Sequence, residues 1–378
     1  MTTAVLAVEP SVVEPSAAEP ARFPRPARLW RPRRVVVTPA ALDHGHGRAM
    51  VARAEALGLT VERLPANRLT LPKSLDPKRA YAEAKATLAI VVAPPTKLRL
   101  QPIPPSADWR FDLAEGCPAH CSYCYLAGSL SGPPVTRAYA NLGEILGNLV
   151  SYVGRGAVTS HQAERAGEGT TFEASCYTDP LGIDHLTGSL AETIRHFGAM
   201  ADRAVQLRFT TKFAAVEPLL DLPHAGRTRI RFSVNARAAA PYEGGTATLD
   251  ARLDAMAAAA RAGYPVGLTI APILPLPDWR AAYEDLIASA ADRLAGIPGL
   301  DLTAELITHR FTPASKTVLE GWYPGSDLAM REEERTRKLT KFGSVKYVLR
   351  KELMAEMRSG LTDMLARRLA PARILYWT

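Results

Sequence analysis

The sequence predicts an α/β fold built on a parallel sheet. Short runs rich in β-branched and aromatic residues alternate with amphipathic helical stretches from about residue 105 to residue 312. The alternation repeats about six times, which suits a full or partial barrel with its functional residues at the C-terminal ends of the strands. With 378 residues and 47% hydrophobic content, the chain is long enough to build an ordinary core.

Residues 1–32 repeat Val-Glu-Pro-Ser and Ala-Glu-Pro, a composition that cannot bury enough apolar surface to fold, and are predicted to be a disordered tail. The tail ends in Arg22, Arg25, Arg28 and Arg31, which read as a solvated linker. Residues 33–104 form an α/β lead-in, with strands at 34–38, 59–63 and 87–93 and a helix at 49–57. Asp43-His44-Gly45-His46 reads as a polar turn, because no second ligand pair stands near it.

The barrel region, 105–312, opens with Trp109-Arg110-Phe111-Asp112-Leu113-Ala114, which runs straight into a cysteine-rich loop. A helix over 141–152 follows, carrying Leu142, Ile145, Leu146, Leu149 and Val150 at helical spacing. Strands at 171–175, 204–210, 228–234, 266–271 and 301–307 then alternate with helices at 188–198, 216–220, 249–262 and 279–294. A C-terminal extension, 313–378, breaks the rhythm. Its charged run 331–338 reads as a solvated helix face, residues 341–347 as a turn able to face DNA, and 352–369 as an amphipathic helix.

Composition narrows the setting. Against 38 Asp and Glu there are 46 Lys and Arg, a net charge of +8, which favours polyanionic partners without deciding for them. Four cysteines in such a length point to a reducing compartment, so the expected location is the cytoplasm. No run of about 18 apolar residues is present, and the N-terminus lacks a basic signal region, so no membrane association or secretion is expected.

Chemistry concentrates in Gly116-Cys117-Pro118-Ala119-His120-Cys121-Ser122-Tyr123-Cys124-Tyr125. Three cysteines at C-x3-C-x2-C spacing can hold three irons of a [4Fe-4S] cluster and leave the fourth iron open to a ligand. This spacing resembles the signature of radical S-adenosylmethionine enzymes, in which the open iron chelates the cofactor's methionine part. The alternative is a structural zinc with His120 or Cys176 as a fourth ligand, in a non-catalytic nucleic-acid-binding protein. Closed zinc sites usually show two separated ligand pairs, and only one cluster of ligands stands here.

With the strands in order, the chain from about Arg33 to Thr378 resembles the spore photoproduct lyase family. The resemblance rests on residues 116–126, on 172–179 running into 182–187, and on 208–212, 231–237 and 305–312. It implies a partial (β/α)6 barrel, a [4Fe-4S] cluster on Cys117, Cys121 and Cys124, and S-adenosyl-L-methionine bound with help from Lys212 and Ser233. The implied reaction is carbon–carbon bond cleavage in DNA: a 5′-deoxyadenosyl radical takes a hydrogen from the thymine dimer spore photoproduct, and the dimer opens to two thymines. Cys176 matches the thiol that gives a hydrogen atom to the thymine radical, and Tyr123 and Tyr125 match the tyrosines that return it.

Tyr123 and Tyr125 alternate along the chain and would share a side if the loop were extended. The implied partners are UV-damaged DNA and an electron donor such as flavodoxin or ferredoxin. Substrate contacts are expected from Thr178, Lys341 and Phe342. This chain departs from the family at those three positions, where Thr replaces Ser and Lys-Phe replaces Arg-Tyr. Lys lacks the planar fork of Arg and Phe lacks a hydroxyl, so a radical enzyme of the same scaffold with another substrate is the competing reading. The tail and an insert at 158–171 are further departures.

Overall fold

The computed structural model describes residues 29–70, 76–129, 134–200, 203–339 and 343–378. Six strands, Ala107–Phe111, Thr170–Ala174, Val205–Thr211, Thr228–Val234, Val266–Ile273 and Leu302–Thr308, lie side by side in chain order, every neighbouring pair parallel. Each is followed by chain that crosses back over the sheet, so both faces are covered and the strands are buried along nearly their whole length. This is the curled half-barrel that the alternation predicts.

The helices Ser189–Ala199, Leu249–Arg261 and Trp279–Leu294 form part of the outer layer. Thr248 caps the second of these, its hydroxyl accepting from the Ala251 N–H at 3.2 Å. The predicted helix at 216–220 is one 3-10 turn, Glu217–Leu219, because Pro223 follows closely and disfavours helical backbone at Leu222.

Two features tie the flanking regions into the barrel. Gln101–Ile103 pairs antiparallel with the first barrel strand, and Arg373–Trp377 adds a seventh parallel strand beside Leu302–Thr308. The helix Lys351–Arg368 delivers that last strand, burying Met357, Leu361, Met364 and Leu365 on its inner face. The lead-in forms a second sheet, ordered Val61–Arg63, Arg34–Val37, Thr87–Val91, Thr136–Tyr139, Ala114–Glu115. Its last two strands come from either side of the cysteine loop, so the lead-in grips that loop at both ends.

The charged run 331–338 is not a helix face. Glu332–Glu334 is a single 3-10 turn, and Arg335–Leu339 pairs antiparallel with Val345–Leu349 in a hairpin. Glu and Arg favour helix when isolated, but cross-strand packing against Val345, Tyr347 and Val348 overrides a propensity of a few tenths of a kcal/mol per residue. Tyr347 stacks on Phe311 at 5.5 Å and fastens the hairpin to the end of the sixth barrel strand. Lys341 and Phe342, between its two strands in sequence, lie outside the described residues.

The insert at 158–171 packs at the N-terminal end of the barrel strands. Asp108 organises it, accepting from the backbone N–H groups of Val158, Thr159 and Thr171 and from the hydroxyls of Thr159 and Ser160 at 2.6–3.0 Å. Glu168 then meets the fully buried Arg208 at 2.9 Å. Among the described residues no helix is long and apolar enough to cross a membrane.

Candidate active site at the barrel mouth

The cysteine loop leaves the sheets at Gly116, which must be glycine. Its φ is +78°, and an added Cβ would stand 2.1 Å from the Val135 carbonyl oxygen. Cys117, Cys121 and Cys124 are all free thiols. Burial pushes the Cys117 thiol up to about 12 and raises the other two, against the pull of Lys85 on Cys117 and Cys124 and of Lys212 on Cys121. As thiols they are protonated at neutral pH, and binding metal must release those protons.

The Ala119 N–H favours the thiolate form of Cys117, and those of Leu126 and Ala127 favour that of Cys124. Among the described residues no group of three or more His, Cys, Asp or Glu side chains is arranged around a single ion. A cubane takes each thiolate on a different iron and does not need such convergence. Three soft donors on one loop, two of them with backbone N–H groups that favour the thiolate, fit a [4Fe-4S] cluster with one iron unligated by protein.

On the barrel side, Lys212 stands one residue beyond the strand Val205–Thr211. Its Nζ donates to Glu243 Oε1 at 2.7 Å, to the Tyr123 hydroxyl at 3.0 Å and to the Ala271 carbonyl at 3.1 Å. Ser233, at the end of Thr228–Val234, donates to the same carbonyl at 3.2 Å. Arg252 joins them, donating to Glu243 and, at 2.6 Å, to the Ser233 carbonyl. The structure therefore brings Lys212, Ser233 and Tyr123 together.

The residue that gathers them, Glu243, was not legible in the sequence. Burial would push its carboxyl up, but Lys212 and Arg252 hold it down at about 2. Glu243–Gly244 also pairs antiparallel with His120–Cys121, so the backbone around Glu243 braces the cysteine loop that its side chain contacts. The run Glu243-Gly244-Gly245 reads as a turn, and neither the pairing nor the burial leaves a periodic trace.

Cys176 lies two residues past the strand Thr170–Ala174. Ser175 turns it away from the sheet, with φ +58° and its hydroxyl accepting from the Leu113 N–H at 2.9 Å. A left-handed serine costs of order 1–3 kcal/mol and persists only where its surroundings fix it. Burial raises the Cys176 thiol well above its ordinary range, with Glu173 and Asp112 adding to the effect. It stays protonated at neutral pH.

Tyr125 is 61% exposed and donates its hydroxyl to the Cys176 carbonyl, whereas Tyr123 is buried and donates to Glu243. The two tyrosines thus face different partners, correcting the shared side expected of an extended loop. A 3-10 turn begins at Tyr125 and rotates it away from its alternate neighbour. The Thr178 hydroxyl is buried and has no partner among the described residues.

Asp179 links the Cys176 loop to Lys212. It accepts from the Lys212 backbone N–H at 2.6 Å and from the Thr211 hydroxyl at 2.8 Å, yet burial outweighs these bonds and pushes its carboxyl up to about 6. Its folded value lies above its unfolded one, so ionisation above pH 6 costs stability, and the cost is relieved as pH falls towards 4. The urea midpoint of Asp179→Asn is expected to fall relative to that of wild type between pH 7 and pH 5, because the variant lacks this contribution. A variant with the full wild-type slope would show that Asp179 does not titrate there.

Below Cys176 the barrel interior carries charge rather than an aliphatic layer. Arg231 pairs with Glu173 and reaches Glu305 at 3.3 Å, and Thr269 donates to Glu305 at 2.7 Å. These side chains sit on strands that read simply as buried.

The family model for spore photoproduct lyase matches residues 30–378. The spore photoproduct lyase of Geobacillus sp. (strain Y412MC61) is 37% identical over 350 residues, covering 92% of this chain and 98% of that protein. That of Bacillus subtilis (strain 168) is 37% identical over 349 residues, with the same coverage. A solved spore photoproduct lyase complexed with dinucleoside spore photoproduct superposes with a TM-score of 0.84 at 36% identity, covering 93% of this chain and 100% of the other. A double mutant with bound AdoMet and dinucleoside spore photoproduct gives the same TM-score at 35% identity and the same coverage.

Proposed function

The chain belongs to the spore photoproduct lyase family, and from that premise we propose that it is a radical S-adenosylmethionine DNA repair lyase that reverts the thymine dimer spore photoproduct to two thymines. Its cofactors are S-adenosyl-L-methionine and a [4Fe-4S] cluster, the latter held by Cys117, Cys121 and Cys124. Bound and reduced, they supply the 5′-deoxyadenosyl radical that takes a hydrogen atom from the lesion. A one-electron donor such as flavodoxin or ferredoxin is the inferred reductant.

The observation that best supports the reading is Cys176, a protonated thiol held at the mouth by the Ser175 turn. After the methylene bridge breaks, its S–H bond is the weak bond that can yield a hydrogen atom to the thymine radical, closing a C–H bond and leaving sulfur one electron short. Tyr125 stands at the Cys176 end and Tyr123 at the Lys212 end, an order that suits return of the hydrogen towards the cofactor. Lys212 and Ser233 orient the cofactor, and the unpaired hydroxyl of Thr178 is free to bind the lesion.

Anaerobic incubation of the reduced protein with S-adenosylmethionine and dinucleoside spore photoproduct is expected to release thymidine. Release of 5′-deoxyadenosine with the lesion untouched would favour the other reading, a different substrate on the same scaffold, which Lys341 and Phe342 motivate. A zinc-binding module without activity does not fit membership of this family.

A further inference from the structure

Buried charge is balanced differently on the two sides of the cysteine loop. Lys212 approaches from the barrel and meets a carboxylate, Glu243. Lys85 approaches from the lead-in as the last residue of the helix Pro77–Lys85, and only 6% of it is exposed. Its Nζ donates to the carbonyl oxygens of Cys117 and Ala119 and lies 6.0 Å from the centre of the Tyr81 ring. Among the described residues no carboxylate forms an ion pair with it.

A buried ammonium bonded only to neutral groups is costly, and such an arrangement persists where an anion belongs nearby. Position supplies a second argument. The two carbonyls that Lys85 holds belong to the peptide units on either side of the 118–119 peptide, so it pins the backbone immediately after Cys117. The lysine therefore fixes the course of the loop beside Cys117 as well as placing a charge. A cluster with three thiolates carries net negative charge, and reduction adds to it, so a fixed cation in a poorly hydrated site favours the reduced form.

We propose that Lys85 is the buried counter-cation of the cluster, a positioning residue contributed by the lead-in that sets the loop around Cys117 and eases reduction. This rests on the cluster reading given under Proposed function. The test is an anaerobic redox titration of the reconstituted full-length protein, followed by electron paramagnetic resonance of the reduced cluster, for wild type, Lys85→Met, Lys85→Gln and Lys85→Arg.

Both neutral variants are expected to shift the midpoint to more negative potential, and Lys85→Arg to lie near wild type. Loss of iron from the neutral variants with retention in Lys85→Arg would equally support a required charge. Unchanged midpoints in folded Lys85→Met and Lys85→Gln with full iron content would overturn the proposal, as would loss of iron from Lys85→Arg. Wild-type protein that assembles no cluster would instead overturn the cluster reading itself.

Discussion

Cys176→Ala is expected to keep the cluster and the cleavage of S-adenosylmethionine while thymine recovery falls about 100-fold or more, corresponding to roughly 3 kcal/mol of lost barrier reduction. The argument begins with placement. Cys176 is on a different loop from the three cluster cysteines, so its removal leaves their donor set whole. Burial keeps the native sulfur protonated, and the left-handed Ser175 turns Cys176 away from the sheet.

Alanine preserves that backbone but offers only a strong C–H bond, so the thymine radical survives long enough to react elsewhere and by-products replace thymine. Cys176→Ser should fail similarly, since an O–H bond is stronger than S–H although the volume is nearly kept. Quantifying thymine, by-products and 5′-deoxyadenosine from single turnovers checks both variants. Unchanged products and rates in Cys176→Ala would remove this residue from the mechanism.

The parts of this site that the sequence displays are those with a local signature. C-x3-C-x2-C is readable because the ligands of one cluster sit on one loop, and the barrel strands are readable because short β-branched and aromatic runs alternate with helical stretches. Thr312, Pro313 and Ser315 also carry a local N-cap signal for the helix Pro313–Trp322. What stayed hidden is long-range. Thr136–Tyr139 is too short to show a period, and it becomes a strand by pairing with Thr87–Val91. Arg373–Trp377 needs the barrel edge to define it. Lys85 and Glu243 look like surface residues in sequence, since lysine and glutamate are seldom buried unless something compensates them.

Glu243→Ala should destabilise the protein by about 3–5 kcal/mol, the usual cost of breaking a buried ion pair from one side. That is a large part of the roughly 5–15 kcal/mol that holds a typical domain together. Two cations, Lys212 and Arg252, lose their shared carboxylate, and the Tyr123 hydroxyl loses its acceptor. The loss does not stop at the pair, because the freed Lys212 and Arg252 also hold the Ala271 and Ser233 carbonyls, and Ser233 contacts that same Ala271 oxygen.

Glu243→Gln keeps the shape and one acceptor and should cost less, while weakening the grip on Lys212. Urea denaturation of the three proteins reads the order, and S-adenosylmethionine binding to folded Glu243→Gln reads the consequence for the site. The pH dependence has a defined sign. The folded carboxyl sits at about 2, below its ordinary 4.5, so the stabilisation is fully present above pH 4.5 and fades as pH falls towards 2. Glu243→Gln should therefore differ most from wild type near neutrality and converge with it in acid. A difference that persists unchanged at pH 3 would mean that packing, not charge, is what Glu243 contributes.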